Sequence, residues 1–561
     1  MKTTKNPPKN PQSISKKSLT KLAISLQIVL VNFYCLSAKA QAQTIVPALD
    51  GTGTTVTPAV ETGTTGPTTR FDIEGGKLSS DRTNLFHSLE QFGLSQNQIA
   101  NFISNPDIRN ILARIGGGSP SLINGLIQVT GGNSNLFLMN PSGIIFGNNA
   151  SLNVPAAFTA TTATSIGFGS NSFNATGTND YTTLTGAPNS FTFSADRLGA
   201  IINTADLAVK SGQNLTLLGG TVVSSGTLSA PGGQITVASV PGQNVVRLSQ
   251  EGNLLSLEIE PPSGTAPPPP SGTLLSIASL PELLTGIGAT NATGVSVNAS
   301  GQVVLTASNQ VVAAGDVAVQ GVNAGAIAIQ AANNLTTGNL TSSQAGPIGL
   351  EAKGDIRTGN LDSHSTNSDG GKITVTSRTG TVQTGNINAW SIDKNSNAAD
   401  IAISAELSIQ TGNIDAHSED KQGGSVTFSA RNDAQVTYIN TEGKTAGGNI
   451  DITVGRYFLA TGTFNSEPNC STGCSLSAST TNSANAGDIT IRHGGTALKT
   501  PFTVGPDYNQ LNGTAGIIAT GGPSGANVIA YGSYDSPGPQ VIQPTTINIT
   551  ASATQNLAKL I

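Results

Sequence analysis

The sequence predicts an all-β chain wound into a right-handed, single-stranded parallel β-helix, with one small helical insertion near residues 96–115. Three observations carry that reading. Short apolar runs, each closed by Gly or Asn, follow one another along most of the chain, as the coils of a solenoid do. The second half repeats a Thr-Gly-Asn motif at intervals of 21 to 27 residues, with a partner motif recurring between. Charged residues are 11% and aromatic residues 4% of a 561-residue chain that holds 66 glycines, so large rings cannot fill a core. Small and β-branched residues must stack in layers instead. A solenoid absorbs such a length because it grows along one axis without enlarging any single core. The formal net charge of -5 supplies no basic field, so nothing argues for nucleic acid as a partner.

The first residues read as targeting rather than fold. Lys2, Lys5, Lys9, Lys16, Lys17 and Lys21 form a basic segment, residues 22–36 an apolar one, and Ala38-Lys39-Ala40 or Ala40-Gln41-Ala42 a small-x-small cleavage pattern. Residues 1–42 are therefore expected to be a cleaved secretory signal. Gln27 and Asn32 break the apolar run, which argues against an uncleaved anchor. Residues 43–70, rich in Thr, Gly and Pro, read as an extended leader.

Short strands are expected from Phe71, at Phe71-Asp72-Ile73, Lys77-Leu78 and Asn84 onward to Phe92. His87 stands alone among apolar neighbours and reads as a hydrogen-bonded packing residue. Over residues 96–115, Ile99, Phe102, Ile103, Ile108, Ile111, Leu112 and Ile115 fall at helix-like spacing. Pro106 divides the run, because proline removes a helix donor and disfavours helix in the residue before it. Two short helices or turns around Asn105-Pro106-Asp107-Ile108 are the expectation.

Gly116-Gly117-Gly118 ends the insertion and strands resume. Leu136-Phe137-Leu138-Met139 then meets Asn140-Pro141-Ser142-Gly143, with Ile144-Ile145-Phe146 following at once. This is strand, tight turn, strand: Pro141 presets φ, Gly143 accepts a positive φ, and Asn140 can bond its own backbone. The stretch resembles the Asn-Pro-Asn-Gly-Ile signature of the haemagglutination-activity, or two-partner-secretion, domain of filamentous-haemagglutinin-like exoproteins, with Ser142 as a departure. The tetrad at Asn105 is similar to the family's second signature, Asn-Pro-Asn-Leu, with Asp107 and Ile108 as departures. Residues 84–92 resemble its early segment, and the likeness extends over about residues 70–260.

The resemblance implies a domain over residues 43–260, with its core at about 70–260. It also implies export in a Gram-negative envelope through an outer-membrane β-barrel transporter with periplasmic POTRA domains. Asn105, Pro106, Asn140, Pro141 and Gly143 are the candidate residues, either for transporter recognition or as turns that shape the module. Residues 261–272, with Pro267-Pro268-Pro269-Pro270, read as a stiff linker or a loop thrown out of the helix.

Repeats are expected over residues 273–495. Thr337-Gly338-Asn339-Leu340 recurs at Thr358, Thr384 and Thr411, and a partner motif recurs as Gly370-Gly371-Lys372-Ile373, Gly423-Gly424-Ser425-Val426 and Gly447-Gly448-Asn449-Ile450. Each repeat then holds about two strands, and neighbours must stack because one unit cannot bury its own apolar face. In that register Thr341, Asp362, Asn388 and Asp415 form one ladder and Ser343, His364, Trp390 and His417 the next. Asp362 and Asp415 would lie about 10 Å apart, at the edge of the spacing an inverting glycosidase uses. Outward polar ladders also blunt lateral strand pairing. Trp390 could stack a sugar ring.

Cys470 and Cys474 are expected to form a short disulfide in an oxidising compartment. No metal or cofactor pattern accompanies them. Residues 496–561 read as an irregular C-terminal region. The functional expectation is a secreted, non-enzymatic monomeric β-helix, extracellular or cell-surface associated, acting as an adhesin or surface-contact fibre on a cell-surface or carbohydrate receptor. Two alternatives stay open: a β-helix carbohydrate-active enzyme using Asp362 and Asp415, and the secretion module of a truncated toxin or effector.

Overall fold

The computed structural model describes residues 45–63, 66–194, 199–240, 244–248, 257–260, 294–297, 303–306, 310–311, 313–466, 470–480, 485–520, 525–531 and 541–542. The expected signal at 1–42 and the proline run at 261–272 lie outside these residues. Nearly every element is a β-strand, and 36 of them belong to one hydrogen-bonded sheet that winds into coils.

In the repeats each coil has three strand faces rather than two strands. The first face stacks Leu335–Thr337, Ile356–Arg357, Val382–Gln383, Ile409–Gln410 and Ala434–Val436 in parallel. The second stacks Leu340–Ser342, Leu361–Asp362, Ile387–Asn388, Ile414–Asp415 and Ile439–Asn440. The third stacks Ile348–Ala352, Ile373–Ser377, Ile401–Ala405, Val426–Ala430 and Ile450–Val454. Because side chains alternate across a strand, one residue in two points inward. Leu340, Leu361, Ile387, Ile414 and Ile439 thus form a column with no solvent exposure. Branched aliphatic residues suit this position, since identical side chains meet directly above and below one another.

The two repeated motifs are the corners between faces. In Thr-Gly-Asn, the threonine hydroxyl donates to the carbonyl of the following glycine, at 2.9 Å for Thr358 and 3.0 Å for Thr384. The asparagine serves the next coil. Asn339 Oδ1 accepts the Asn360 N–H at 2.9 Å, Asn360 Oδ1 accepts that of Asn386 at 2.9 Å, and Asn386 Oδ1 accepts that of Asn413 at 3.0 Å. At Gly359, Gly385 and Gly412 glycine precedes the asparagine because the side chain from the coil below passes there: a Cβ on Gly385 would lie 2.4 Å from Asn360 Oδ1. In the Gly-Gly motif the obstacle is backbone, with a Cβ on Gly448 lying 2.1 Å from the Gly424 carbonyl oxygen.

The expected helical insertion at residues 96–115 is not helical. Gln98–Ile103 and Asn110–Ile115 are strands, pairing in parallel with Gly66–Gly75 and Leu126–Thr130, and with Asn84–Phe92 and Asn135–Met139, respectively. Among the described residues the one helical segment is a 3-10 turn at Tyr181–Thr183. The misleading spacing has a physical cause: Asn110–Ile115 is buried along its whole length. Ile111, Ala113 and Ile115 face the interior of the coils, whereas Leu112 faces a second apolar cluster outside them. A strand covered on both faces loses its alternation, and periodicity then cannot separate it from a helix.

That second cluster lies under an antiparallel sheet of Ser165–Phe168, Asn171–Asn174, Ser190–Phe193, Asn244–Leu248 and Leu257–Glu260. Phe86, Met139 and Leu218 from the coils meet Phe173, Phe191 and Phe193 from this sheet. At the other end of the domain, Ile45–Pro47 pairs antiparallel with Asn84–Phe92, and a hairpin of Thr54–Gly63 and Gly66–Gly75 extends a coil face. Thr221–Ser239 stacks directly on Val317–Ala331 across the intervening segment, so the coil column continues past it. It also continues beyond residue 495: Ile489–His493 pairs with Asn527–Tyr531, and Cys474–Ser477 with Ile517–Ala519.

Candidate functional site

Asn140-Pro141-Ser142-Gly143 is a corner that ties three coils. Asn140 is fully buried, and its Oδ1 accepts the Ser142 N–H at 3.0 Å. Its Nδ2 donates to Ser119 O at 3.0 Å and Ser121 Oγ at 2.9 Å on the preceding coil. Its own N–H donates to Thr161 O, and the Gly199 N–H donates to Pro141 O, which joins the following coils. Gly143 takes φ +116°, a conformation that L side chains rarely adopt, and its N–H closes the turn on Asn140 O at 3.1 Å. The turn bonds use only the N–H of Ser142, so the family's third residue can vary here.

Asn105-Pro106-Asp107-Ile108 is the corner between Gln98–Ile103 and Asn110–Ile115. Asn105 Oδ1 accepts the Asp107 N–H at 2.9 Å, and Asn105 O accepts the Ile108 N–H at 3.2 Å. Ile108 is buried, whereas Asn105, Pro106 and Asp107 are exposed. Both signatures are therefore side-chain-braced turns, but the asparagine is exposed at Asn105 and buried at Asn140, where Pro141 and Ser142 are half-buried.

Sequence reasoning missed the polar groups that brace the module. Asn84, Asn110 and Asn135 form a ladder at the starts of their strands: Asn110 Nδ2 donates to Asn84 Oδ1 at 2.8 Å and Asn135 Nδ2 to Asn110 Oδ1 at 2.9 Å. Asn84 Nδ2 reaches out to Leu184 O and Gly186 O, both at 2.9 Å. Arg114 is the larger omission. Its Nε donates to Ser88 Oγ at 2.9 Å, Nη1 to Asn174 O and Gly177 O at 2.8 Å, and Nη2 to Asp50 Oδ2 at 2.7 Å. Burial alone would raise the Asp50 carboxyl, but hydrogen bonds from Ser88, Thr52 and Arg114 outweigh it and hold the group well below the usual carboxylate range. The pair borders an open cleft of about 800 Å³ that Lys77, Glu90 and Tyr181 also line. One signal was in the sequence: a single arginine inside the apolar run Ile111 to Ile115.

His87 lies inside the coils, fully buried, with its ring 5.9 Å from that of Phe102. Its Nδ1 is 3.4 Å from Thr54 Oγ1, but Nε2 has no partner among the described residues. The expectation of a hydrogen-bonded packing histidine thus holds for one ring nitrogen. Burial pushes the imidazole down to about 4. The unfolded chain, with an ordinary value near 6.5, takes up this proton first, so stability is complete above pH ~6.5 and falls by ~3 kcal/mol as pH drops to ~4. Urea unfolding of the wild type and of His87→Leu at pH 7 and pH ~4.5 checks this. The variant is expected to lose clearly less between the two; equal losses would assign the acid sensitivity to other groups.

Farther along the coils, the ladder register is the one read from the sequence: Thr341 pairs with Asp362, Asp362 with Asn388, and Asn388 with Asp415. The two carboxylates stand two coils apart with Asn388 between them. Each contacts the histidine two residues on, Asp362 to His364 and Asp415 to His417, the latter at 2.6 Å. Trp390 is sandwiched, with ring centroids 4.1 Å from His364 and 5.9 Å from His417. Imidazoles lie against both faces of the indole, which leaves neither free to stack a sugar ring.

Cys470 and Cys474 are joined by a disulfide. Both are buried in a small separate cluster with Ala519, against Phe464 and Ile517. Nearby, the Glu442 carboxylate is buried and accepts hydrogen bonds from Ser466 and Ser477. No group of three or more His, Cys, Asp or Glu side chains is placed to hold a metal among the described residues.

Residues 46–265 match the family model of the TPS secretion domain. No curated protein matches the chain. Among solved structures, the HMW1 secretion domain from Haemophilus influenzae is similar at 17% identity and a TM-score of 0.44, covering 80% of this chain and 95% of that one. A filamentous hemagglutinin secretion domain is similar at 14% identity and a TM-score of 0.31, covering 74% of this chain and all of that one. The family match extends over the capping strands, both signature turns and the outer antiparallel sheet. A chain that carries such a domain is exported out of the cell and has a cognate outer-membrane transporter. Residues 46–265 thus match a TPS secretion domain, the domain that two-partner-secretion exoproteins carry.

Proposed function

We propose that residues 71–260 address the chain to a β-barrel transporter with POTRA domains, and that the coils beyond act outside the cell as an adhesin or surface-contact fibre. The family match over residues 46–265 carries this reading. The coil architecture gives it a physical logic. A chain with 11% charged residues crosses an outer-membrane pore unfolded, and each emerging coil then adds a rung of parallel hydrogen bonds to the one before it. Such growth needs only a preceding coil as template, so folding outside the cell opposes return without ATP. Residues 1–42 act as the signal that delivers the chain to the periplasm. Asn105, Pro106, Asn140, Pro141 and Gly143 shape the corners that start the stack. The exposed corner at Asn105 is the part of these signatures that a folded domain could still offer to a partner.

Fractionating cells with the transporter present or deleted tests the export step. Surface or medium signal is expected to vanish on deletion, with degradation in the periplasm. Removing residues 71–260 from the chain is expected to do the same, and normal export of that deletion would overturn the assignment. The coils act without catalysis: Asp362 and Asp415 each engage their own imidazole. Purified coils are expected to cleave no polysaccharide, and cleavage by the wild type that Asp415→Ala abolishes would favour the enzyme reading instead.

A further inference from the structure

The stack of His364, Trp390 and His417 is not accounted for by export or by core packing. These rings sit outside the coils, on three successive rungs and two residues after the Asp362, Asn388 and Asp415 ladder. Their backbones are locked together as well: Ser365 N–H donates to Trp390 O at 2.9 Å and Ser391 N–H to His417 O at 3.0 Å. The rings are nearly parallel, with interplanar angles of 21° and 23°. Each imidazole presents Nδ1 to its aspartate, which leaves Nε2 without a partner among the described residues; it is not buried and so meets solvent. Both histidines can therefore exchange protons with the surroundings without any opening of the fold.

We propose that this stack is a proton-operated clasp, in which protonation of His417 tightens the three coils that carry residues 361–366, 387–392 and 414–419. The charged imidazole gains on two sides at once. An imidazolium against the face of an indole is held by the ring quadrupole, and the same cation is paired with a carboxylate on its own strand. The groups around His417 are of one sign. Asp415 touches it, Glu419 follows on the same strand, and Glu442 comes from the next coil. Asp362 faces His364, and the neighbouring Asn388 and Asn440 are neutral. Burial opposes charging of His417, but these carboxylates outweigh it and raise the group above its ordinary value. With the folded value raised, the stabilisation is present below the unfolded value near 6.5 and is lost as pH rises through the folded value. This is the reverse of His87 in the secretion domain, so acid loosens one part of the column and tightens the other.

Trp390 is the chain's single tryptophan and reports the clasp directly. Its fluorescence in the full-length exported protein, followed from pH ~5 to ~9, is expected to change through a single step whose midpoint lies above the ordinary imidazole value of ~6.5. Asp415→Asn is expected to move that midpoint down, and His417→Gln to abolish the step. Hydrogen exchange then separates a clasp from a passive reporter. After correction for intrinsic rates, protection of the Ser365 and Ser391 amides is expected to fall roughly tenfold across the step, as a cation–π contact of ~1 kcal/mol or more requires. A fluorescence signal flat with pH, a step unchanged in the His417→Gln variant, or protection indifferent to pH would each overturn the proposal. All three readings concern the coils alone, so they stand apart from the fate of the export assignment.

Discussion

Arg114→Met is expected to destabilise the secretion domain by about 3–5 kcal/mol, the range for removing one partner of a buried, hydrogen-bonded ion pair. Arg114 is 4% exposed and its guanidinium binds three segments at once: Asp50 after the first strand, Ser88 on the strand before it, and the carbonyls of Asn174 and Gly177 beside the outer hairpin. Methionine keeps most of the volume, so the loss isolates hydrogen bonding from packing. Two carbonyls and a serine hydroxyl would lose a donor, while Asp50, about a quarter exposed, can regain water. That places the cost nearer the lower end. Hydrogen exchange over Asn84–Phe92 and Asn110–Ile115 is the appropriate measurement, because a solenoid can open locally and a single global transition is not guaranteed. A loss below about 1 kcal/mol would mean that the outer sheet is held by its apolar contacts with Phe86, Met139 and Leu218 alone.

Gly448→Val is expected to be among the most damaging substitutions in the repeats, above about 3 kcal/mol, at or past the usual upper range for overpacking. Even a Cβ would lie 2.1 Å from Gly424 O and 2.4 Å from Gly424 C, both backbone atoms of the coil beneath. The coils would have to separate locally and release the rung between Val426–Ala430 and Ile450–Val454. Gly385→Ala makes the control. Its Cβ meets first the end of the Asn360 side chain, which can rotate away at the loss of one hydrogen bond to the Asn386 N–H. About 1–2 kcal/mol is expected there. Thermal melts of the two variants followed by far-ultraviolet circular dichroism would rank them. An equal loss at both sites would show that the stack relaxes around side chains and backbone alike.

These two glycines show how much of the fold could be read before any coordinates. Thr-Gly-Asn and Gly-Gly recur because a solenoid repeats its corners, and their register placed Asp362, Asn388 and Asp415 in one ladder correctly. The same pattern did not reveal three faces per coil. The second face carries only two strand residues per rung, too short a run to show alternation beside its corner. The helical reading of residues 96–115 failed for a related reason. Leu112 looked like part of a helical stripe, but it packs outward beneath a sheet whose strands come from residues 165–260.

The sequence by itself determined the β-helix, the two signature turns, the secretion family and the pairing partners of the ladders, because each depends on residues close in the chain or repeated at a fixed period. Only the tertiary structure decided what depends on contact across coils. It buried Asn140 and exposed Asn105, although both open Asn-Pro turns. It made Arg114 the tie to three other segments, and it set imidazoles on both faces of Trp390, so that a residue open to reading as a sugar platform became the centre of a ring stack. Local pattern fixes which way a side chain leaves the backbone; what waits for it there is set by chain that lies tens of residues away.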